Sequence, residues 1–260
     1  MSQPQTVPII ECDVNHPAIP KLFDPHVPNN PSLWAVFQGR LSGQALVDNL
    51  LAPTQCLVRT RALLTYASRG VTPEFLIEVV RYFRRSGRLW LVRNTGDPPI
   101  SGDYTLIPRI EFYEYDPSSD ILASLRNRIP DEFRLRNIDK DLLECCEWRD
   151  DMAFYCGSKE NFLLNGIGLC IMCDDQIIVE AYASALGSPY AEIGAITHRP
   201  YRGRGYAPIA VACLIDVLEQ RGYHAYWSCD VDNPASAQVA RKLGFKIERS
   251  YEIFDYEKEK

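Results

Sequence analysis

The six residues Arg202-Gly203-Arg204-Gly205-Tyr206-Ala207 constrain this chain more than any other stretch. Ahead of them the apolar run Ala191 to Thr197 reads as a strand, and behind them Ile209 to Leu218 reads as a helix. Two glycines at a strand-to-helix turn let the backbone approach a ligand without Cβ obstruction. The first amides of the helix have no intrahelical acceptor and carry the positive end of its dipole. With Arg202 and Arg204 beside them, these amides form a receptor for a phosphate or diphosphate. No Gly-Lys-Ser/Thr follows, so the turn is not a P-loop, and Pro208 stands where a dinucleotide fingerprint needs a third glycine. Proline in a first helical turn costs little, because its missing N–H would lack a partner anyway.

The segments around the turn give it context. Leu169 to Ala185 contains two strand-like runs separated by the polar Asp174-Asp175-Gln176 turn, and Tyr223 to Cys229 is an aromatic-rich strand pattern. Asn233-Pro234 then opens a helix that runs to Lys242-Leu243 and stops at Gly244, before a last strand at Phe245 to Arg249. This series resembles the GNAT superfamily of acyl-CoA N-acyltransferases over roughly residues 131 to 255. Arg202, Gly205 and Ala207 fill the specified positions of that superfamily's Arg/Gln-x-x-Gly-x-Gly/Ala diphosphate signature. Asn233 stands eleven residues before the glycine of Gly244-Phe245, which matches its second signature. A narrower likeness, to the group containing the zwittermicin A self-resistance protein, is carried by Glu192-Ile193-Gly194 with Thr197, Tyr226-Trp227-Ser228-Cys229 and Asn233-Pro234-Ala235-Ser236. The resemblance implies an α/β fold with a mixed sheet, carrying a GNAT acyltransferase domain in the C-terminal half.

The first half alternates strands and helices as a degenerate GNAT-like copy would. Residues 1 to 31 carry seven prolines and should run extended. A helical pattern follows from Ser32 to about Leu51, with one or two strands in Gln55 to Ser68. Thr72-Pro73-Glu74 is a helix start, and Phe75, Leu76, Val79, Val80 and Phe83 mark one face at 3.6 spacing. Leu89 to Val92 and Ile110 to Tyr115 are further strands. The turn at Arg69-Gly70 lacks the second glycine and second arginine, which makes this half a support domain that does not hold the coenzyme. Residues 1–130 are therefore expected as the support domain and 131–260 as the catalytic domain, divided near Pro117-Ser118-Ser119 or Pro130-Asp131.

Composition narrows the partners. The net charge of −6 disfavours nucleic acid and suits a cationic amine. No apolar run approaches the roughly 20 residues of a membrane helix, and no secretory signal opens the chain, so a cytoplasmic protein is expected. Nine cysteines show no disulfide-framework spacing. Cys170-Ile171-Met172-Cys173 would put its sulfurs on opposite faces of a strand, so core packing rather than a metal is expected there.

By the resemblance, acetyl-CoA is the co-substrate. Its diphosphate would lie on residues 202–207, its pantetheine arm along Ala195, Ile196 and Thr197 where the strand parts from its neighbour, and Asn233 would belong to the same site. One of those strand amides would polarise the thioester carbonyl. Direct attack by a primary amine of a small molecule, an aminopolyol antibiotic or another metabolite, then needs a base. Glu180 and Glu192 both qualify; His198 is a third option. Glu192 stands one residue from the commonest superfamily position, a shift that turns a side chain to the other face. A strand-interior glutamate ordinarily faces solvent. Many relatives place a proton-donating tyrosine where this chain has Ala240; Ser236, a water, Tyr206 or Tyr251 would take that role, or no acid is needed, since a thiolate of pKa roughly 8–9 leaves readily. Tyr226 and Trp227 are either pocket lining or core. Transfer of another acyl group, or a non-catalytic acyl-CoA-binding module, are the competing functions.

Overall fold

Proline and glycine set the outline of the first unit. The computed structural model describes residues 7–94, 96, 97, 100 and 102–259, and the chain divides into Met1–Arg109 with Tyr251–Lys260, and Ile110–Ser250. The proline-rich start contains β1 (Ile10–Cys12) and the single-turn α1 (Ile19–Leu22), with Pro20 in its first turn. The helix expected over 32–51 is shorter: α2 (Pro31–Phe37) ends at Gln38, Gly39 turns left-handed at φ 68°, and β2 (Gly43–Val47) follows. Gly43 presses on α2, since a Cβ there would lie 2.7 Å from Val36 Cγ1. Pairing of β2 with β1 on one side and β3 (Cys56–Thr60) on the other overrides the helical periodicity. After β4 (Leu64–Ala67), Thr72 caps α3 (Pro73–Ser86) by accepting from Phe75 N at 3.3 Å. α3 buries Phe75, Leu76, Val79 and Phe83 against Leu46, Leu57 and Leu89. β5 (Leu89–Val92) then lies parallel to β4, and β6 (Thr105–Tyr113) leads into the second unit. β6 begins five residues before the expected Ile110, passing through Pro108.

The second unit opens with α4 (Asp120–Arg126), β7 (Phe133–Asn137) and three short helices, α5 (Lys140–Cys145), α6 (Arg149–Cys156) and α7 (Lys159–Asn165). Then come β8 (Gly168–Cys173), β9 (Gln176–Gly187), β10 (Tyr190–Thr197), α8 (Tyr206–Gln220), β11 (His224–Asp230), α9 (Pro234–Lys242) and β12 (Ile247–Tyr256), whose residues from Tyr251 on belong to the first unit. Residues 130 and 131 lie inside this unit, between α4 and β7. β7 to β10 pair antiparallel in succession, and α8 carries the chain to β11, which is parallel to β10. β1 to β5 with α3 repeat that connectivity, four antiparallel strands, a helix and a parallel fifth, as a degenerate second copy requires.

Alternation along the strands sorts side chains to two faces. Ile171, Val179, Ala181, Ile193, Ala225 and Trp227 pack on α8, while Cys170, Met172 and Tyr182 pack with α5 to α7. Cys170 and Cys173 accordingly fall in different clusters. Among the described residues no helix is long and apolar enough to cross a membrane, and no three His, Cys, Asp or Glu side chains are gathered as for a metal ion.

Candidate active site

The site starts from a strand that leaves its neighbour. β10 and β11 share a parallel register from Tyr190–His224 to Ile193–Trp227. Both continue, to Thr197 and Asp230, while β10 keeps its antiparallel partner β9 as far as Thr197–Val179. Residues 194–197 therefore turn one backbone edge away from the parallel ladder. A bulge marks the spot: Glu192 pairs with Ala185 but Ile193 with Ala183, so Ser184 is the extra residue, and its Oγ donates to Glu192 O at 3.2 Å. A bulge sharpens the local twist and re-aims the strand beyond it. Ala195, Ile196 and Thr197 are half-buried along this opening.

At its end sits the anion cradle. Gly203 and Gly205 have φ of 78° and 81°, left-handed values that favour glycine, and Gly205 is the N-cap of α8. Having no side chain, Gly205 cannot cap, so the first helical amides, from Tyr206 and Ala207, point out unfilled by a side chain. Arg202 Nε donates to Thr197 O at 2.9 Å, which ties the guanidinium to the strand end. Arg204 lies 5.8 Å over the Tyr201 ring, and both arginines are exposed. Tyr206 is held edge-on to Phe133 at 5.2 Å. The cradle combines oriented amides with two cations and suits a diphosphate.

Across the opening, Asn233 caps α9, its Oδ1 accepting from Ser236 N at 3.1 Å. Ser236 Oγ in turn accepts from Trp227 Nε1 at 3.0 Å, just where β11 leaves β10. Ala240, the position at which the resemblance implies a tyrosine in many relatives, is fully buried in the core with Ala237. Trp227 belongs to that same core, and buried Tyr226 points the other way, donating to the buried carboxylate of Glu111.

The two carboxylates have different surroundings. Glu180 is 0 % exposed, facing inward where a strand glutamate ordinarily faces water. Its Oε1 accepts from Glu147 N at 2.6 Å and its Oε2 from Trp148 N at 3.1 Å, both in the turn between α5 and α6. His198 Nε2 lies 2.5 Å from the same Oε1. Charge-assisted bonds of this kind make a buried carboxylate tolerable. Glu192 is half-buried beside the bulge, two residues before Gly194.

Gly194 lets Trp148 approach: a Cβ there would stand 3.3 Å from Trp148 Cζ3. Trp148 is edge-on to Tyr182, the register partner of Gly194. Burial pushes the Tyr182 phenol well up, and the charges of Tyr155, Asp151 and Glu192 add to that. Glu180, Glu192, Tyr182 and Trp148 thus gather on the β9–β10 side of the opening, and Ser236 and Asn233 belong to the β11–α9 side. Glu147, Trp148 and Tyr182 were not singled out from the sequence; the one signal was Gly194, since glycine inside a strand marks a close approach.

Residues 21–254 match the family model described as GNAT acetyltransferase. An uncharacterized N-acetyltransferase, YdfB of Bacillus subtilis (strain 168), is 28% identical over 159 residues, which are 60% of this chain and 59% of that protein. The match thus spans under two thirds of that relative's length. A GCN5-related N-acetyltransferase-like protein from Streptococcus suis 89/1591 superposes with a TM-score of 0.66 at 24% identity, covering 91% of this chain and 96% of that one. A tandem GNAT protein from the clavulanic acid biosynthesis pathway gives a TM-score of 0.60 at 12% identity, covering 97% and 99%. These two likenesses establish the fold.

Proposed function

The chain belongs to the GNAT acetyltransferase family, and from that premise we propose that it moves an acetyl group from acetyl-CoA to a primary amine of a small molecule by direct attack. The observation that carries this reading is the opening between β10 and β11, with the cradle of 202–207 at its end. The diphosphate of the coenzyme would be held by Arg202, Gly203, Arg204, Gly205, Tyr206 and Ala207. Its pantetheine amides would pair with the released edge of Ala195, Ile196 and Thr197, as a strand pairs with a strand. One of those strand amides, such as that of Ala195, would donate to the thioester oxygen as negative charge develops there. Asn233 fixes the start of α9, and the Ser236 hydroxyl, oriented by Trp227, would be the donor nearest a departing thiolate. Glu180 and Glu192 would supply the negative field that attracts a cationic amine.

In this reading residues 131–260 hold the chemistry and the first half supports them. If the narrower likeness to the zwittermicin A resistance group extends to the substrate, the acceptor would be an aminopolyol or a related metabolite. A cytoplasmic enzyme would find both acetyl-CoA and such an acceptor at hand. Calorimetry with acetyl-CoA, followed by chromatography of released CoA over a panel of primary amines, tests the proposal. Binding with turnover of at least one amine supports it. Binding with no turnover would leave an acyl-CoA-binding module, and no binding would reject both.

A further inference from the structure

Resting on the acetyltransfer reading above, the geometry points to His198 as the group that takes the proton from the attacking amine, with Glu180 as the residue that positions it. Glu180 is fully enclosed, and its oxygens already accept from two backbone amides. An enclosed carboxylate of this kind has no surface to offer an amine. What it does have is His198 Nε2 at 2.5 Å. An ionised carboxylate only accepts, so the neutral imidazole places its proton on Nε2 and leaves the Nδ1 lone pair outward.

Nδ1 faces the carboxylate of Glu147 at 3.7 Å, too far for a hydrogen bond, and the imidazole is 16% exposed. Two acceptors facing each other across that gap are a place for a donor, and an alkylammonium or amine N–H is one. The groups around the ring are Glu180 from β9 and Glu147 from the α5–α6 turn. The neighbouring Cys146 has its thiol pushed up by its contact with Cys170 and by burial, and adds no charge.

Register sets the pair on the β9 side of β10, along the residues whose other edge is released from β11. Glu180 is the cross-strand partner of Ile196, and His198 N donates to Ile178 O at 2.9 Å, which extends the β9–β10 ladder one step past Thr197. The turn whose amides hold Glu180 also lays Trp148 on Gly194. One turn therefore positions the carboxylate, the imidazole and an aromatic wall together.

The step balances as follows. The amine nitrogen bonds to the thioester carbonyl carbon while its proton passes to His198 Nδ1. The carbon–sulfur bond breaks, sulfur leaves with the electron pair while accepting a hydrogen bond from the Ser236 hydroxyl, and the imidazolium gives up its proton, which reaches the thiolate through solvent. The products are the amide and the free thiol of CoA, with His198 neutral again.

The test uses the full-length protein and the variants His198→Ala, His198→Gln and Glu180→Gln. In protein labelled with 15N-histidine, the resonances missing from His198→Gln should report the proton on Nε2 and a shift of Nδ1 when acetyl-CoA is added. With a responsive amine from a panel of glucosamine, spermidine and lysine, His198→Ala should lower kcat about 100-fold, with the acetyl-CoA affinity changed less than about twofold. Millimolar imidazole should restore part of that kcat, and should not restore Glu180→Gln, whose ring is present but misdirected. A proton on Nδ1, an unchanged kcat, or loss of acetyl-CoA affinity in step with kcat and without imidazole rescue would overturn the inference and leave His198 as a structural pin. Failure of the wild-type protein to bind acetyl-CoA would instead reject the acetyltransfer reading. The tautomer would still decide the pairing should no amine in the panel respond.

Discussion

Gly205 and Gly222 form a matched pair that separates backbone strain from ligand recognition. Their φ values are 81° and 78°, and a Cβ built at either meets no described atom within 4 Å. Gly205 opens α8 within the cradle, and Gly222 lies just past the other end of the same helix. Replacing either with alanine forces an L-residue into the left-handed region at about 1–2 kcal/mol, so both variants should lose that much stability in urea titrations. Only Gly205→Ala places a methyl group where the diphosphate is to approach. At acetyl-CoA a hundredfold above Kd, the wild type should gain about 2.7 kcal/mol. Gly222→Ala should gain the same, and a tenfold weaker Gly205→Ala should gain only about 1.4 kcal/mol at that concentration. Equal gains in the two variants would refute the placement of the ligand at this helix start.

Three further outcomes follow from contacts at single residues. Ser236→Ala leaves the indole N–H of Trp227, which is 4% exposed, without its acceptor and should cost about 1–3 kcal/mol; adding Trp227→Phe should recover part of that loss in thermal denaturation. Asp48 titrates low despite the opposing effect of burial, because the Thr54 hydroxyl and the amides of Thr54 and Gln55 bond its carboxylate. Its contribution is present above about pH 4 and is lost as pH falls through its depressed folded value, so Asp48→Asn should flatten the acid end of the stability curve, and an unaltered curve would refute this. Burial pushes the Cys213 thiol up to about 11, whereas Cys145 is exposed; iodoacetamide mass mapping should find Cys145 alkylated first and Cys213 protected until the chain unfolds.

Local chemistry was legible in the sequence wherever a single residue type decides the backbone. The caps at Thr72 and Asn233, the turn at Asp174 and Asp175 and the glycines of the cradle all stand where the residues place them. The 32–51 segment was misread because helical periodicity and a short apolar strand overlap in Ala45-Leu46-Val47, and only pairing on both edges decides between them. The surroundings of Glu180 were illegible for a different reason. Its donors are backbone amides 33 and 32 residues earlier in the chain, and an amide carries no side-chain signature. The Trp227–Ser236 bond joins residues nine apart in the chain, on a strand and on a helix, whose meeting depends on how the two elements pack.

The most direct test of the central claim is a crystal structure of the protein with CoA bound. The account expects diphosphate oxygens within hydrogen-bond distance of the amides of residues 203–207, and pantetheine amides along Ala195 to Thr197 where β10 leaves β11. A coenzyme bound at another place, with that strand edge and the start of α8 untouched, would contradict it.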